Sequence, residues 1–253
     1  MGIKGGEISM KNAIEIDSIK FDFPRKQGIL SAVWALLWGR NLSPKKSFKA
    51  LQNTTLDVKQ GEVLGIIGRN GSGKSTLLRL MAGIYKPDGG GIRVRGRTSL
   101  LAGVRVGLNE NLTGRENVHL YGSILGHSQG AMDEMMEDII SFSEIEEFFD
   151  QPLRTYSSGM RARLGIAIAS AVEPEILLID EVLGVGDPQF REKSKQRILS
   201  LVKSTSTVVL VSHSFGLMRE ICDRVAFIHE GEIHSVGEPT ATIRTYYEVT
   251  GEK

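Results

Sequence analysis

Cysteine is almost missing from this chain. Cys222 is the single one in 253 residues, so no disulfide forms within the chain and a reducing compartment is expected. Long apolar runs are missing too: no stretch reaches the roughly 18 apolar residues that a helical membrane span requires. Residues Met1 to Lys20 carry charges throughout and have no apolar core followed by a cleavage site, so no secretory signal is expected. Net charge is close to nil. Lysine and arginine total 31 against 30 acidic residues, giving +1, and no overall field draws the chain to nucleic acid. No internal repeat or low-complexity tract is present. What remains is 41% apolar and 24% charged residues, ordinary for a globular protein long enough for one large domain or two small ones. A cytoplasmic location is expected.

The charges that are present are unevenly spread. Lys20, Arg25, Lys26, Arg40, Lys45, Lys46 and Lys49 face only Asp22 in their stretch. Asp133, Glu134, Glu137, Asp138, Glu144, Glu146, Glu147 and Asp150 form an acidic region, which reads as a solvated face.

The most informative segment is Gly68-Arg69-Asn70-Gly71-Ser72-Gly73-Lys74-Ser75, followed by Thr76. It fits the phosphate-binding pattern G-x-x-x-x-G-K-[ST]. Glycines let the backbone curl tightly and aim several N–H groups at one anion, and the N-terminus of a following helix adds to that site. Lys74 is placed to reach the β- and γ-phosphates of a nucleotide, and the Ser75 hydroxyl to ligate Mg²⁺. The flanks agree. Val63–Ile67 is a short apolar run that reads as a buried strand, and Leu77, Leu78, Leu80 and Met81 follow with helical spacing.

Elsewhere Ala13–Asp22 and Leu51–Val58 alternate as strands, with Gln60-Gly61 turning between the second and the loop strand. Lys86-Pro87-Asp88-Gly89-Gly90-Gly91 reads as a turn, and Ile92–Val94 as a strand ended by Gly96. From about Thr113 to Val172 the pattern is helical. Ile176–Ile179 and Val208–Val211 read as buried strands, and Val225–Ile228 and Glu232–Val236 as a pair joined by a turn at His229-Glu230-Gly231.

The acidic end of one of these strands supplies a second half for the site. Asp180 and Glu181 follow Ile179. The first suits Mg²⁺ opposite the phosphate loop, and the second suits polarising the attacking water. His213 follows the Val208–Val211 strand, where it suits a contact with the γ-phosphate or the water. Tyr156-Ser157-Ser158-Gly159-Met160 precedes an amphipathic helix, so its hydroxyls and free N–H groups make a second anion-binding design.

In order and approximate spacing this set resembles the ATP-binding cassette (ABC) ATPases over nearly the whole chain. The resemblance implies an α/β fold: a P-loop NTPase core with an N-terminal antiparallel β subdomain and a helical subdomain inserted at about 104–172, all in one domain over 1–253. It implies ATP and Mg²⁺ as ligands, and two cassettes pairing head to tail. Ser157, Ser158 and Gly159 of one copy would then face the ATP held by the other copy's Gly68–Thr76. Glu181 would be the general base, Asp180 a Mg²⁺-linked acid, His213 the γ-phosphate sensor, and Asp187 a coupler of the two sites. The family's adenine-stacking aromatic falls best on Phe23, with Phe21 and Phe48 as rivals.

Three departures are informative. The usual signature Leu-Ser-Gly-Gly-Gln is replaced by Tyr-Ser-Ser-Gly-Met, and residues 180–187 differ from the common form. Together with Leu112-Thr113-Gly114-Arg115-Glu116-Asn117, both look like the branch that exports O-antigen, capsule and teichoic acid. That branch implies a homodimer driving a separate permease, two copies of it, from the cytoplasmic face of the membrane, with a lipid-linked polysaccharide as cargo. The family's loop glutamine is absent from residues 100–112, where Asn109 and Glu110 are the substitutes to consider. With the chain stopping at Lys253, no C-terminal carbohydrate-binding domain is expected. A nucleic-acid-directed ABC protein would pair two cassettes in one chain or insert a long coiled coil, and neither is seen. A module that binds ATP without turnover is the remaining rival.

Residues 28–39 hold both tryptophans, Trp34 and Trp38, with basic residues on either side. About three helical turns long, the segment reads either as an interfacial helix with aromatic anchors or as a helix on the domain's own core. Relatives in the exporter branch are similar in carrying a short helix there that approaches the membrane partner, so residues 28–39 are expected to contact the transmembrane subunit or the inner leaflet near the substrate's lipid head.

Overall fold

Strand pairing sets the architecture. The computed structural model describes residues 11–23, 48–102, 108–172, 174–180, 187–204 and 207–252; residues 28–39 and Glu181 lie outside them. β1 (Asn12–Phe23), β2 (Phe48–Lys59) and β4 (Gly89–Val94) make an antiparallel sheet in the order β2-β1-β4. β3 (Val63–Ile67), β5 (Thr98–Ala102), β6 (Ile176–Asp180), β7 (Thr207–Val211), β8 (Arg224–His229) and β9 (Glu232–Gly237) make a second, in the order β5-β6-β7-β3-β8-β9. All its neighbours run parallel except β8 and β9.

The apolar runs of β3, β6, β7 and β8 follow from burial on both faces. Alternate side chains point to opposite sides of a sheet, and here they enter two separate cores. Ile67, Leu177, Ile179, Val208, Leu210, Val225 and Phe227 join one; Leu64, Ile66, Ile176, Leu178, Val209, Val211, Ala226 and Ile228 join the other. The second core also holds Leu77, Leu78, Leu80 and Met81 of α1 (Lys74–Met81) with Ile14, Ile16, Leu56 and Val58. α1 is thus sandwiched between the two sheets. The first core takes the buried faces of α2 (Gly114–Ile124), α3 (Gln129–Ser143), α4 (Ser158–Ala171), α5 (Pro188–Ser204), α6 (Phe215–Ile221) and α7 (Pro239–Thr250). Met132, Met136 and Ile139 are buried at helical spacing.

One expectation is corrected, and one strand went unread. Gly89–Gly91 are not a turn but the start of β4, with Gly91 opposite Asp17 and Gly89 opposite Lys20. Gly90 bulges there at φ 78°, and a Cβ on it would lie 2.4 Å from the Asp17 carbonyl oxygen. β5 was not expected, because Thr98 and Ser99 break its apolar pattern. The acidic region is solvent-exposed as expected, with all eight acids exposed, and three of them also pair with cations. Asp138 pairs with Arg197 at 2.5 Å, Glu144 with Arg163 at 2.6 Å and Lys193 at 2.7 Å, and Asp150 with Arg115 at 2.9 Å. Those cations lie far along the chain from most of their partners, out of reach of a local charge pattern.

Candidate functional site

Register brings three strand ends together. Ile66 of β3 lies opposite Val211 of β7, and Val211 lies opposite Asp180 of β6. Neighbouring strands are about 4.8 Å apart, so Asp180 sits about 10 Å across the sheet from β3. Ligands of open parallel sheets bind at such carboxyl ends.

The segment Gly68–Gly73 leaves β3 here and feeds α1. Gly73 precedes the helix at φ 109°. A Cβ on it would lie 2.7 Å from the Ala50 carbonyl oxygen and 2.8 Å from Leu51 Cδ2, so glycine is required on both grounds. It has no capping side chain, which leaves the N–H groups of the first turn available to an anion. Lys74, only 7% exposed, donates from Nζ to the carbonyls of Gly68 at 2.7 Å and Arg69 at 2.9 Å. The loop is therefore curled around a positive charge. Ser75 Oγ donates to Asp180 Oδ1 at 3.1 Å, joining the loop to the acidic strand. Ser72 Oγ is buried with no hydrogen-bond partner among the described residues, a hydroxyl that an anion would satisfy. Thr76 is buried behind it. A hydroxyl and a carboxylate side by side are hard oxygen donors and fit Mg²⁺; a curled backbone over a lysine fits phosphate.

His213, expected beside the phosphates, is exposed and lines a cleft of about 470 Å³ with Arg69, Asn70, Gly71 and Ser72. The same cleft has walls that the sequence did not suggest. Tyr246 and Glu252 come from the C-terminal end. Arg69 Nε pairs with Glu252 Oε1 at 3.2 Å, and the Tyr246 hydroxyl donates to Glu252 Oε2 at 2.5 Å. Burial first, then the carboxylate, pushes the Tyr246 phenol up to about 12. Tyr246-Tyr247 was visible in the sequence as an aromatic pair, with nothing to say what it touches.

The signature lies elsewhere. Ser157 caps α4, its Oγ accepting from Met160 N–H at 3.2 Å. Ser157 and Ser158 are exposed and Gly159 is half-exposed. α4 packs into the first core and α1 into the second, so the two helices sit on opposite faces of the sheet. One chain does not bring Ser157–Gly159 to its own phosphate loop. The two unusual motifs do meet: the buried Tyr156 hydroxyl, beside the Gly114 backbone, donates to the Phe148 carbonyl at 2.7 Å.

The loop before α2 is fixed by Asn117, which is 0% exposed. Its amide donates to the carbonyls of Asn109, Leu112 and Thr113 and accepts from Asn109 N–H at 2.7 Å. Asn109 Oδ1 accepts from Asn111 N–H at 3.0 Å, and Glu110 pairs with Arg161 of α4 at 2.9 Å. Both candidate substitutes for the loop glutamine are thus engaged within this loop and α4. Asp187 caps α5, accepting from Gln189 and Phe190 N–H at 3.1 and 3.0 Å, and pairs with Arg163. The Phe190 N–H and then the Arg163 guanidinium hold its carboxyl down at about 2. Phe23 is in a cluster with Phe21 (5.0 Å between ring centroids) and Tyr85 (5.9 Å) and is not among the residues lining the cleft. Phe21 stacks on Tyr85, and Phe48 is exposed.

A family model described as ABC transporter matches residues 51–184. The ABC transporter protein AbcA of Aeromonas salmonicida is 41% identical over 239 residues, covering 93% of this chain and 76% of the relative. The O-antigen export system ATP-binding protein RfbB of Klebsiella pneumoniae is 38% identical over 245 residues, covering 94% and 98%. The teichoic acids export ATP-binding protein TagH of Enterococcus faecalis is 44% identical over 200 residues, 79% of this chain, and the chain spans only 44% of that relative's length. Among solved structures, a dimeric, post-hydrolysis ATP-binding cassette bound to ADP and Pi matches with a TM-score of 0.67 and 23% identity, over 89% of this chain and 98% of the other. The family model covers more than half of the chain and two of these relatives align with nearly all of it, so the chain belongs to the ABC transporter family.

Proposed function

We propose that this chain is the ATP-hydrolysing subunit of an exporter of lipid-linked polysaccharide, acting as a homodimer at the cytoplasmic face of the membrane beneath a separate permease. One observation carries the reading. The phosphate loop, Asp180 and His213 converge at one end of the sheet, while Ser157–Gly159 start a helix packed on the sheet's opposite face. Each is half of a site, and two-fold pairing of identical chains completes both halves.

The loop N–H groups and Lys74 hold the triphosphate of ATP, and Ser75 with Asp180 hold Mg²⁺. That ion, when bound, neutralises charge on the phosphate oxygens. Glu181 takes the proton of the attacking water, His213 orients the γ-phosphate, and the partner's signature closes over it. Phe23 stacks on adenine. Asp187 links the two sites. The cargo is inferred from relatives named for O-antigen and teichoic-acid export. No helix among the described residues is long and apolar enough to cross a membrane, and the transport path is assigned to the permease. Residues 28–39 contact that permease or the lipid head of the cargo.

Phosphate release from Mg-ATP by the wild type and by Glu181→Gln, with permease-containing vesicles present, tests the reading. Loss of a general base lowers the rate by about 10² to 10⁴; equal rates would sink the assignment. For the cargo, Trp34→Ser with Trp38→Ser is expected to stop export while the chain stays folded.

A further inference from the structure

Arg163 stands on α4, six residues after the exposed Ser157, and its side chain is 19% exposed. It is held on three sides. Nη1 donates to Glu144 Oε2 at 2.6 Å, Nη2 donates to Asp187 Oδ2, and the guanidinium lies 4.5 Å from the centroid of the Phe190 ring. Glu144 ends α3 with φ 54°, a left-handed conformation uncommon for a non-glycine residue and sustained only where neighbours fix it. Lys193 of α5 holds it from the other side at 2.7 Å. Asp187 is equally committed: one oxygen caps α5 and the other receives Arg163. Its carboxylate is therefore bonded within its own chain.

We infer that Arg163 is a positioning residue that fastens Asp187, the cap of α5, to the signature helix of the same chain. The inference rests on the shared-site reading above. β6 delivers Asp180 to a chain's own phosphate loop, and only seven residues later Asp187 is pinned to α4. α4 begins with the signature that serves the partner's ATP. The Arg163–Asp187 contact thus joins a chain's own site to the partner's site without Asp187 having to reach across the interface. A planar guanidinium bridges Asp187 and Glu144 at once, which a single ammonium does not reproduce. A shift of the signature when the partner's nucleotide engages is passed to Asp187, seven residues from Asp180, and the two sites fire together.

The test uses the full chain with Arg163→Gln, Arg163→Lys, Asp187→Asn and Glu144→Gln. Asp187→Asn keeps a helix-capping side chain, so it remains informative if Arg163→Gln folds poorly. For each, kcat, KM, the Hill coefficient for ATP and the melting temperature are measured. Arg163→Gln and Asp187→Asn are expected to bring the Hill coefficient toward one and lower kcat by about two- to thirty-fold, the range seen for coupling residues, with KM unchanged. Arg163→Lys gives little rescue. Glu144→Gln lowers the melting temperature but keeps the Hill coefficient. Wild-type kinetics in both Arg163→Gln and Asp187→Asn overturn the inference. So does an equal kinetic loss in Glu144→Gln, which makes the cluster purely structural. A wild type whose rate per chain is independent of protein concentration, with no cooperativity, overturns the shared-site reading and this inference with it.

Discussion

Adding one methyl group to the phosphate loop separates backbone strain from crowding. Gly71 and Gly73 both hold positive φ, 81° and 109°. A Cβ on Gly71 meets nothing within 4 Å, whereas one on Gly73 lies 2.7 Å from the Ala50 carbonyl oxygen. Gly71→Ala therefore bears only the left-handed penalty, about 1 to 2 kcal/mol. Gly73→Ala adds overpacking against backbone that no rotamer change relieves, for a total of about 2 to 5 kcal/mol. At about 2 to 4 °C per kcal/mol for a chain of this size, Tm falls by about 5 to 15 °C for Gly73→Ala and by about half that or less for Gly71→Ala. Calorimetry without nucleotide reads the stability. Nucleotide titration reads the site, and Gly73→Ala alone is expected to weaken binding strongly, because relief of the clash moves Lys74 and Ser75. If Gly71→Ala proves as damaging as Gly73→Ala in both assays, the close approach of Ala50 is not what fixes the loop.

Three further outcomes are expected. Ser75→Ala loses one hydrogen bond to Asp180, about 1 kcal/mol, and abolishes the gain in nucleotide affinity that Mg²⁺ gives while leaving Mg²⁺-free binding intact; an unchanged Mg²⁺ gain contradicts the Ser75–Asp180 assignment. Asn117→Ala strands buried partners in the 109–113 loop and destabilises by about 2 to 3 kcal/mol, read from denaturant unfolding; a loss under half that shows that the loop is held by other contacts. Asp187, with its pKa lowered from 3.8 to about 2, stabilises the fold fully above pH 3.8 and loses that contribution as pH falls toward 2. The Tm difference between wild type and Asp187→Asn should be flat above about pH 4 and shrink on acidification; a widening difference reverses the sign of the linkage.

The core of the fold was legible because parallel strands buried on both faces write themselves as apolar runs, as in Val63–Ile67 and Val225–Ile228. The phosphate loop was legible because its chemistry is local: glycines, Lys74 and Ser75 act within eight residues. β5 was not, since Thr98 and Ser99 hide an edge strand that pairing with β6 stabilises. Nor were Tyr246 and Glu252, whose contact with Arg69 spans most of the chain. The charge pattern around residues 133–150 showed acids but not the arginines and lysine that fold back on three of them. The Tyr156 and Gly114 motifs pointed in sequence to one branch, but only packing puts them side by side.

The sharing of the site between two chains is tested most directly by mixing two inactive variants. Lys74→Ala removes the phosphate-loop cation. Gly159→Asp places a negative charge in the signature, where a Cβ meets only Ser157 Oγ, at 3.8 Å. Each homodimer then has no intact site, whereas a mixed dimer pairs the sound loop of one chain with the sound signature of the other. Phosphate release by the equimolar mixture is predicted to recover to at most about a quarter of the wild-type rate, since half the dimers are mixed and each has one good site of two, and to less where firing needs both sites. A mixture that releases no more phosphate than the two variants assayed apart would contradict it.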